Sequence, residues 1–378
     1  MKGLWPARAG VGLLRSMERG KRLRQIGSAL ILAAVVLGPG SVTLSITAGS
    51  RYGAQLVWVP VLAGIFMIVY TWMSARVALI SRRSLFDLTR RKFGRWPAWV
   101  GGVCGFLAIL AFQSGNSAAV GFTLSAVFGV DTRLAAFLCF LPAVWLLFLP
   151  QLYSRLELLV KLVVAIMVIG FAGTLAIVGM DLPAVGRGLI PQFPDGGAVF
   201  LALGLSATTF SVAAAAYQGY LLRQKHWDVN RLAAEGLDVL VGIGILALIS
   251  IIVLLTSAAV HTEAADEVFT PAGLAQQLAP LYGDYAYALF LSGFFFAAFS
   301  SLVVNPLIGA ALLLDGVGRL DSLDSPSVRW TAAGIMSLGL AVVLVAGRAP
   351  IELIRAAQAM AVVAFPVLGF LIWNLARD

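Results

Sequence analysis

The apolar run over residues 26–49 is cut near its middle by Gly38-Pro39-Gly40-Ser41. A helix in hydrocarbon has to satisfy every backbone N–H and C=O internally, because an unsatisfied group there costs several kcal/mol. Pro39 removes one donor and crowds the preceding turn, and the glycines on either side of it are poor helix formers. Broken backbone at that depth survives where it faces protein or water. In secondary transporters such breaks commonly form the substrate site.

The rest of the chain fits that setting. Of its 378 residues 60% are hydrophobic and only 12% charged, with a mean hydropathy of +0.93, which excludes an ordinary soluble domain. Runs long enough to cross about 30 Å of hydrocarbon recur ten times: 26–49, 53–80, 98–127, 133–151, 155–180, 197–222, 236–260, 284–314, 328–346 and 350–375. The first run is read as a retained span, being too long for a signal segment.

The net charge of +9 serves topology. Basic residues crowd the N-terminal segment 1–25 and the loop after the second span (Arg82, Arg83, Arg90, Arg91, Lys92, Arg95), and Arg155, Arg223, Lys225, Arg319 and Arg377 fall on the same side. The opposite loops carry Arg51, Arg133, Arg187 and Arg348 and an acidic stretch with Glu263, Asp266 and Glu267. The positive-inside rule places both termini in the cytoplasm.

A second irregular stretch lies in the sixth span, SATTFSVAAAAYQGY, where Ser206, Thr208, Thr209 and Ser211 put hydroxyls into a small, apolar segment. Five spans are an odd number, so halves over 26–180 and 197–378, joined by an outer linker 181–196, would have opposite topology. Irregular first helices at matching places in both halves are the pattern of an inverted-repeat carrier. Close helix packing through small hydroxyl residues is the competing explanation for the sixth span alone.

The run LGPGSVTLSITAGSRYGAQLVW resembles the first-helix region of the NRAMP family of divalent-metal transporters, with Ala48-Gly49, Tyr52-Gly53 and Gln55-Leu56-Val57-Trp58 in register. ARVALISRRSLFDLTRRKFGRW, YSRLELLVKLVVAIMVIGF and AAQAMAVVAFPVLGF are similar to the family's second-to-third connection, fifth helix and tenth helix. The resemblance implies an all-α polytopic membrane protein with a LeuT-like 5+5 inverted repeat and broken helices 1 and 6. It places Gln358 where the family has a glutamine near its ion.

The departures fall on the chemistry. The family's Asp and Asn of helix 1 correspond to Gly38 and Ser41, and its Met-Pro-His of helix 6 to Phe210-Ser211-Val212. Its acidic residues of helix 3 align with Phe106, Gln113 and Asn116. A carboxylate with a thioether favours transition metals, whereas hydroxyls, amides and freed carbonyls favour a hard, partly hydrated cation or a neutral or zwitterionic solute. Amides do not titrate near neutral pH, so the expectation is transport without the family's proton route.

The expected substrate site comprises Gly38, Pro39, Gly40, Ser41, Thr209, Phe210, Ser211 and Gln358, with Ser41 and Gln358 as the metal donors. Gln113, Asn116, Lys161, Tyr217 and Asn305 are pathway or coupling candidates. Lys161, four residues after Glu157, is either a functional charge or half of an i,i+4 pair whose ammonium reaches interfacial water. Asn305-Pro306 is expected to interrupt the eighth span, as a packing kink or as site lining. Glu352 and Arg355 read as a surface pair.

No Ser/His/Asp set, zinc spacing or phosphate loop is present, so no enzyme chemistry and no cofactor are expected, and the charge pattern excludes nucleic acid as a partner. The leading expectation is a cell-membrane carrier of a divalent cation, with the lipid bilayer and a small cation or solute as its partners. Its rivals are a carrier of a small organic solute on the same fold and a non-transporting membrane sensor.

Overall fold

The computed structural model describes residues 38–225, 227–260, 271–346 and 350–377, with side chains throughout except at 150–161, 271, 272, 350, 351 and 363. Several expectations therefore lie outside the described residues: the N-terminal segment 1–25, the first part of the first span, the side chains of Arg155, Glu157 and Lys161, His226, His261, the acidic loop from Glu263 to Glu267, and Arg348.

No strand occurs among the described residues. The α-helices are α1 Pro39–Tyr52, α2 Trp58–Ser81, α3 Leu85–Phe93, α4 Arg95–Phe128, α5 Thr132–Leu147, α6 Pro150–Val178, α7 Leu182–Gly188 and α8 Gly196–Thr209. They continue with α9 Val212–Gln224, α10 Leu232–Ala259, α11 Pro271–Gln276, α12 Ala279–Tyr282, α13 Ala286–Gly316, α14 Pro326–Ala346, α15 Pro350–Met360 and α16 Ala364–Ala376. Seven stretches are long and apolar enough to cross a membrane: α2, α4, α8 with α9, α10, α13, α14, and α15 with α16. The apolar α5 and α6, together with α1, complete the ten-span pattern.

The irregular helix ends have local causes. α1 starts at Pro39, with Gly38 extended at φ −100° and ψ −178° and no side chain capping the helix. In the sixth span α8 stops at Thr209, and Phe210 and Ser211 leave helical geometry, at ψ 75° and 91°, before α9 starts. A third irregularity, a 3₁₀ turn over Ala361–Val363, separates α15 from α16. Its signal in the sequence is Pro366, which has no N–H to give to the carbonyl of Val362.

The eighth span corrects an expectation. α13 runs unbroken for 31 residues with Pro306 inside it. The carbonyl of Leu302, which Pro306 cannot serve, accepts instead from the Gln113 amide of α4 at 3.0 Å. A neighbouring helix thus supplies the missing donor, and the spiral continues.

Small residues bring the helices together. A Cβ on Gly102 of α4 would stand 2.8 Å from Cα of Gly316 on α13, and one on Gly49 of α1 would stand 2.1 Å from the Leu254 carbonyl oxygen of α10. Ser257 of α10 donates to the Ile46 carbonyl at 2.8 Å and locks that second approach. Such backbone-to-backbone contact is how helices associate where lipid offers no hydrophobic drive. Between the spans lie the basic helix α3 and the short α7, α11 and α12, none of which the apolar pattern indicates.

Candidate functional site

The irregular ends of α1 and α8–α9 meet α4, α13 and α15 around one small cavity. Its lining is Gly38, Gly40, Ser41, Ile109, Phe112, Asn116, Thr208, Ser211, Ala214, Asn305, Ile308 and Gln358. About 20 Å³ is open to the centre of a water-sized sphere, room for a bare ion or a single water. All the polar lining side chains except Asn305 are buried.

Glycine makes the chamber possible. A Cβ on Gly40 would stand 2.4 Å from the amide carbon of Gln358, and one on Gly115 would stand 3.1 Å from its nitrogen. The Gln358 amide thus lies between α1 and α4 because neither presents a side chain there. Ile109, Phe112 and Asn116 reach the chamber from α4 at the i, i+3, i+7 spacing of one helical face.

The lining donors are hydroxyls (Ser41, Thr208, Ser211) and amides (Asn116, Asn305, Gln358). Thr208 bonds the Leu205 carbonyl at 2.9 Å through its own hydroxyl proton, which leaves its oxygen lone pairs available. The carbonyl end of α8 adds partial negative charge, and the N-terminal ends of α1 and α9 add partial positive charge. Among the described residues no carboxylate, imidazole or sulfur lines the cavity, and no three His, Cys, Asp or Glu side chains come together. This donor set suits a hard cation that keeps water as a ligand.

Other expected residues lie beside the chamber. Thr209 is fully buried with its hydroxyl unpartnered. Phe210 turns its ring into an aromatic cluster, with centroids 4.8 Å from Phe365, 5.2 Å from Tyr70 and 6.0 Å from Phe66. Gln113 is committed to Leu302. Tyr217 is buried with its ring stacked 6.1 Å from Tyr220, and the neighbouring Gln218 donates to the buried carboxylate of Glu235 on α10. Arg355 pairs with Glu352 at 2.7 Å but is 8% exposed, so only the glutamate end of that pair is at the surface.

At the end of α1 the Tyr52 hydroxyl donates to Asp195 Oδ1 at 2.7 Å, while the same carboxylate caps α8 through the Ala198 N–H at 2.7 Å. The Tyr52 hydroxyl beside it holds the Asp195 carboxyl below the usual carboxylate range. Burial, and then the neighbouring carboxylate, push the Tyr52 phenol up.

Residues 29–378 match the model of the "natural resistance-associated macrophage protein-like" (Nramp) family. The chain is 26% identical to a divalent metal cation transporter MntH of Deinococcus radiodurans, over 98% of this chain and 87% of that protein. It is 28% identical to the MntH of Yersinia pestis over 77% and 73%. A structure of an Eremococcus coleocola manganese transporter variant superposes with a TM-score of 0.77, covering 99% of this chain and 81% of that one at 16% identity, which shows a shared fold.

Proposed function

Because the chain belongs to the Nramp family, we propose that it is a secondary transporter that moves a divalent metal cation across the cell membrane by alternating access, without the carboxylate proton route of its relatives. The observation that carries this reading is the small polar chamber where the start of α1 meets the gap between α8 and α9, at the place the LeuT-like fold uses for substrate. Ser41 and Gln358 are the proposed metal donors, joined by Thr208, Ser211, Asn116 and Asn305. The substrate reaches them with part of its water shell exchanged for hydroxyl and amide oxygens.

Alternating access comes from one helix bundle rocking about this chamber. The arginine-rich loops favour an orientation with both termini in the cytoplasm.

The test is uptake of Mg²⁺, Mn²⁺ and Ca²⁺ into proteoliposomes with a pH-sensitive dye inside. The reading requires saturable flux of at least one ion, reduced by Ser41→Ala and by Gln358→Ala, with no proton entry tied to it. Well-folded protein that carries none of the three overturns it.

A further inference from the structure

On the arginine-rich side of the chamber one buried carboxylate ties three helices. Asp315, at the end of α13 and 4% exposed, accepts from the Tyr220 hydroxyl of α9 at 2.6 Å and from the Ser84 hydroxyl at 3.0 Å. It also accepts from the Phe86 N–H at 3.3 Å and pairs with Arg90 of α3 at 3.3 Å, while Arg90 reaches the Asp315 carbonyl as well. A carboxylate with this many donors fixes its partners in place. A single displaced partner leaves charge or donors unsatisfied.

The position of this knot matters more than its strength. Ser211, just before α9, and Ala214 within it line the chamber. Tyr217 and Tyr220 follow Ala214 at i+3 spacing, each turned about 60° from the last, both buried and stacked on one another. Tyr220 and Asp315 in turn line a recess of about 620 Å³ on the arginine-rich side, with Arg82, Arg83, Arg90 and Arg223 in its wall. From Ala214 to Tyr220 α9 rises about 9 Å, so this one helix borders both chamber and recess, with the stacked tyrosine rings toward its recess end.

We propose that Asp315 is a positioning residue for transport: through Tyr220 it holds α9 against α3 and α13, keeps the two tyrosines across the exit, and opens the path from chamber to recess when it lets go. The transport reading gives this closure its purpose. The closure itself is tested by access, not by flux.

The experiment places Ala214→Cys, a chamber reporter, in protein whose Cys104 and Cys139 are replaced by alanine. Its labelling by a membrane-impermeant maleimide is then timed from each face of oriented proteoliposomes. Tyr220→Phe removes one hydroxyl, and Asp315→Asn removes the charge. Each is expected to speed labelling from the arginine-rich face at least fivefold and to leave the opposite face unchanged or slower. Tyr52→Phe, at the other end, should not speed labelling from the arginine-rich face. Unaltered rates in both variants, or any rise that is equal on the two faces, overturn the proposal. If labelling responds as expected while no ion is carried, the closure stands and the transport reading falls.

Discussion

Gln113 gives its amide N–H to the carbonyl of Leu302, the one acceptor that Pro306 deprives of a helical partner. Position 113 thus holds a donor that cannot ionise, engaged in joining α4 to α13. Gly339 of α14 makes the fit tight, since a Cβ there would lie 2.8 Å from the Gln113 side chain.

Replacing this donor should be felt as stability. Gln113→Met is expected to cost about 1 kcal/mol and to lower the melting temperature in detergent by roughly 2–4 °C. Gln113→Glu should cost more at pH 8 than at pH 5, because only the protonated acid can donate to Leu302. Equal losses at both values would show that the carbonyl does not select for a donor.

Two glycines of α1 should separate function from folding. At Gly40 an added Cβ meets the flexible end of Gln358, so Gly40→Ala should fold and yet lose most of its ion uptake. At Gly49 it meets the backbone of α10, and Gly49→Ala should destabilise by about 1–3 kcal/mol or fail to accumulate. Thermal melts of both variants beside flux assays make the comparison.

The neutral chamber predicts weak affinity that a carboxylate would raise. Gly38 borders the cavity, and a Cβ on it would stand 3.2 Å from the Ser301 hydroxyl, a side-chain atom able to shift. Gly38→Asp should lower the Mn²⁺ concentration for half-maximal uptake by roughly tenfold, an oxyanion being worth several hydroxyls to a divalent ion. Unchanged concentration dependence would move the ion away from α1.

The tie between Tyr52 and Asp195 fixes a pH window. The depressed pKa of Asp195 means its contribution is complete above the ordinary carboxylate value of about 4 and is lost as pH falls through the lower folded value. The raised pKa of Tyr52 means the phenol stays protonated beyond about 10, and that contribution disappears only as pH rises through the higher folded value. Tyr52→Phe should therefore lower the melting temperature by a constant amount between about pH 5 and 9, the difference vanishing in stronger acid.

Much of the architecture was legible because Pro and Gly are written into it. Gly38-Pro39-Gly40 marks the start of α1, and the hydroxyl-rich run before Ser211 marks the gap between α8 and α9. Ser41, Ser211, Asn116, Asn305 and Gln358 could be singled out as polar residues in apolar helices, and all five line the chamber. Pro306 misled, since a proline announces a missing donor but not whether a distant side chain replaces it. The knot at Asp315 joins positions 84, 90, 220 and 315, and no local pattern reveals such a meeting. Its one trace is a lone carboxylate ending the run LLLDG.

A chamber without an ionisable wall has a consequence for energy supply. Each passage of a divalent ion then carries two uncompensated charges, so the membrane voltage itself becomes the engine. At 100 mV, inside negative, that amounts to about 4.6 kcal/mol, enough to sustain an accumulation of more than about a thousandfold. Collapsing the voltage with an ionophore should stop such a carrier, while collapsing a pH gradient should leave it running.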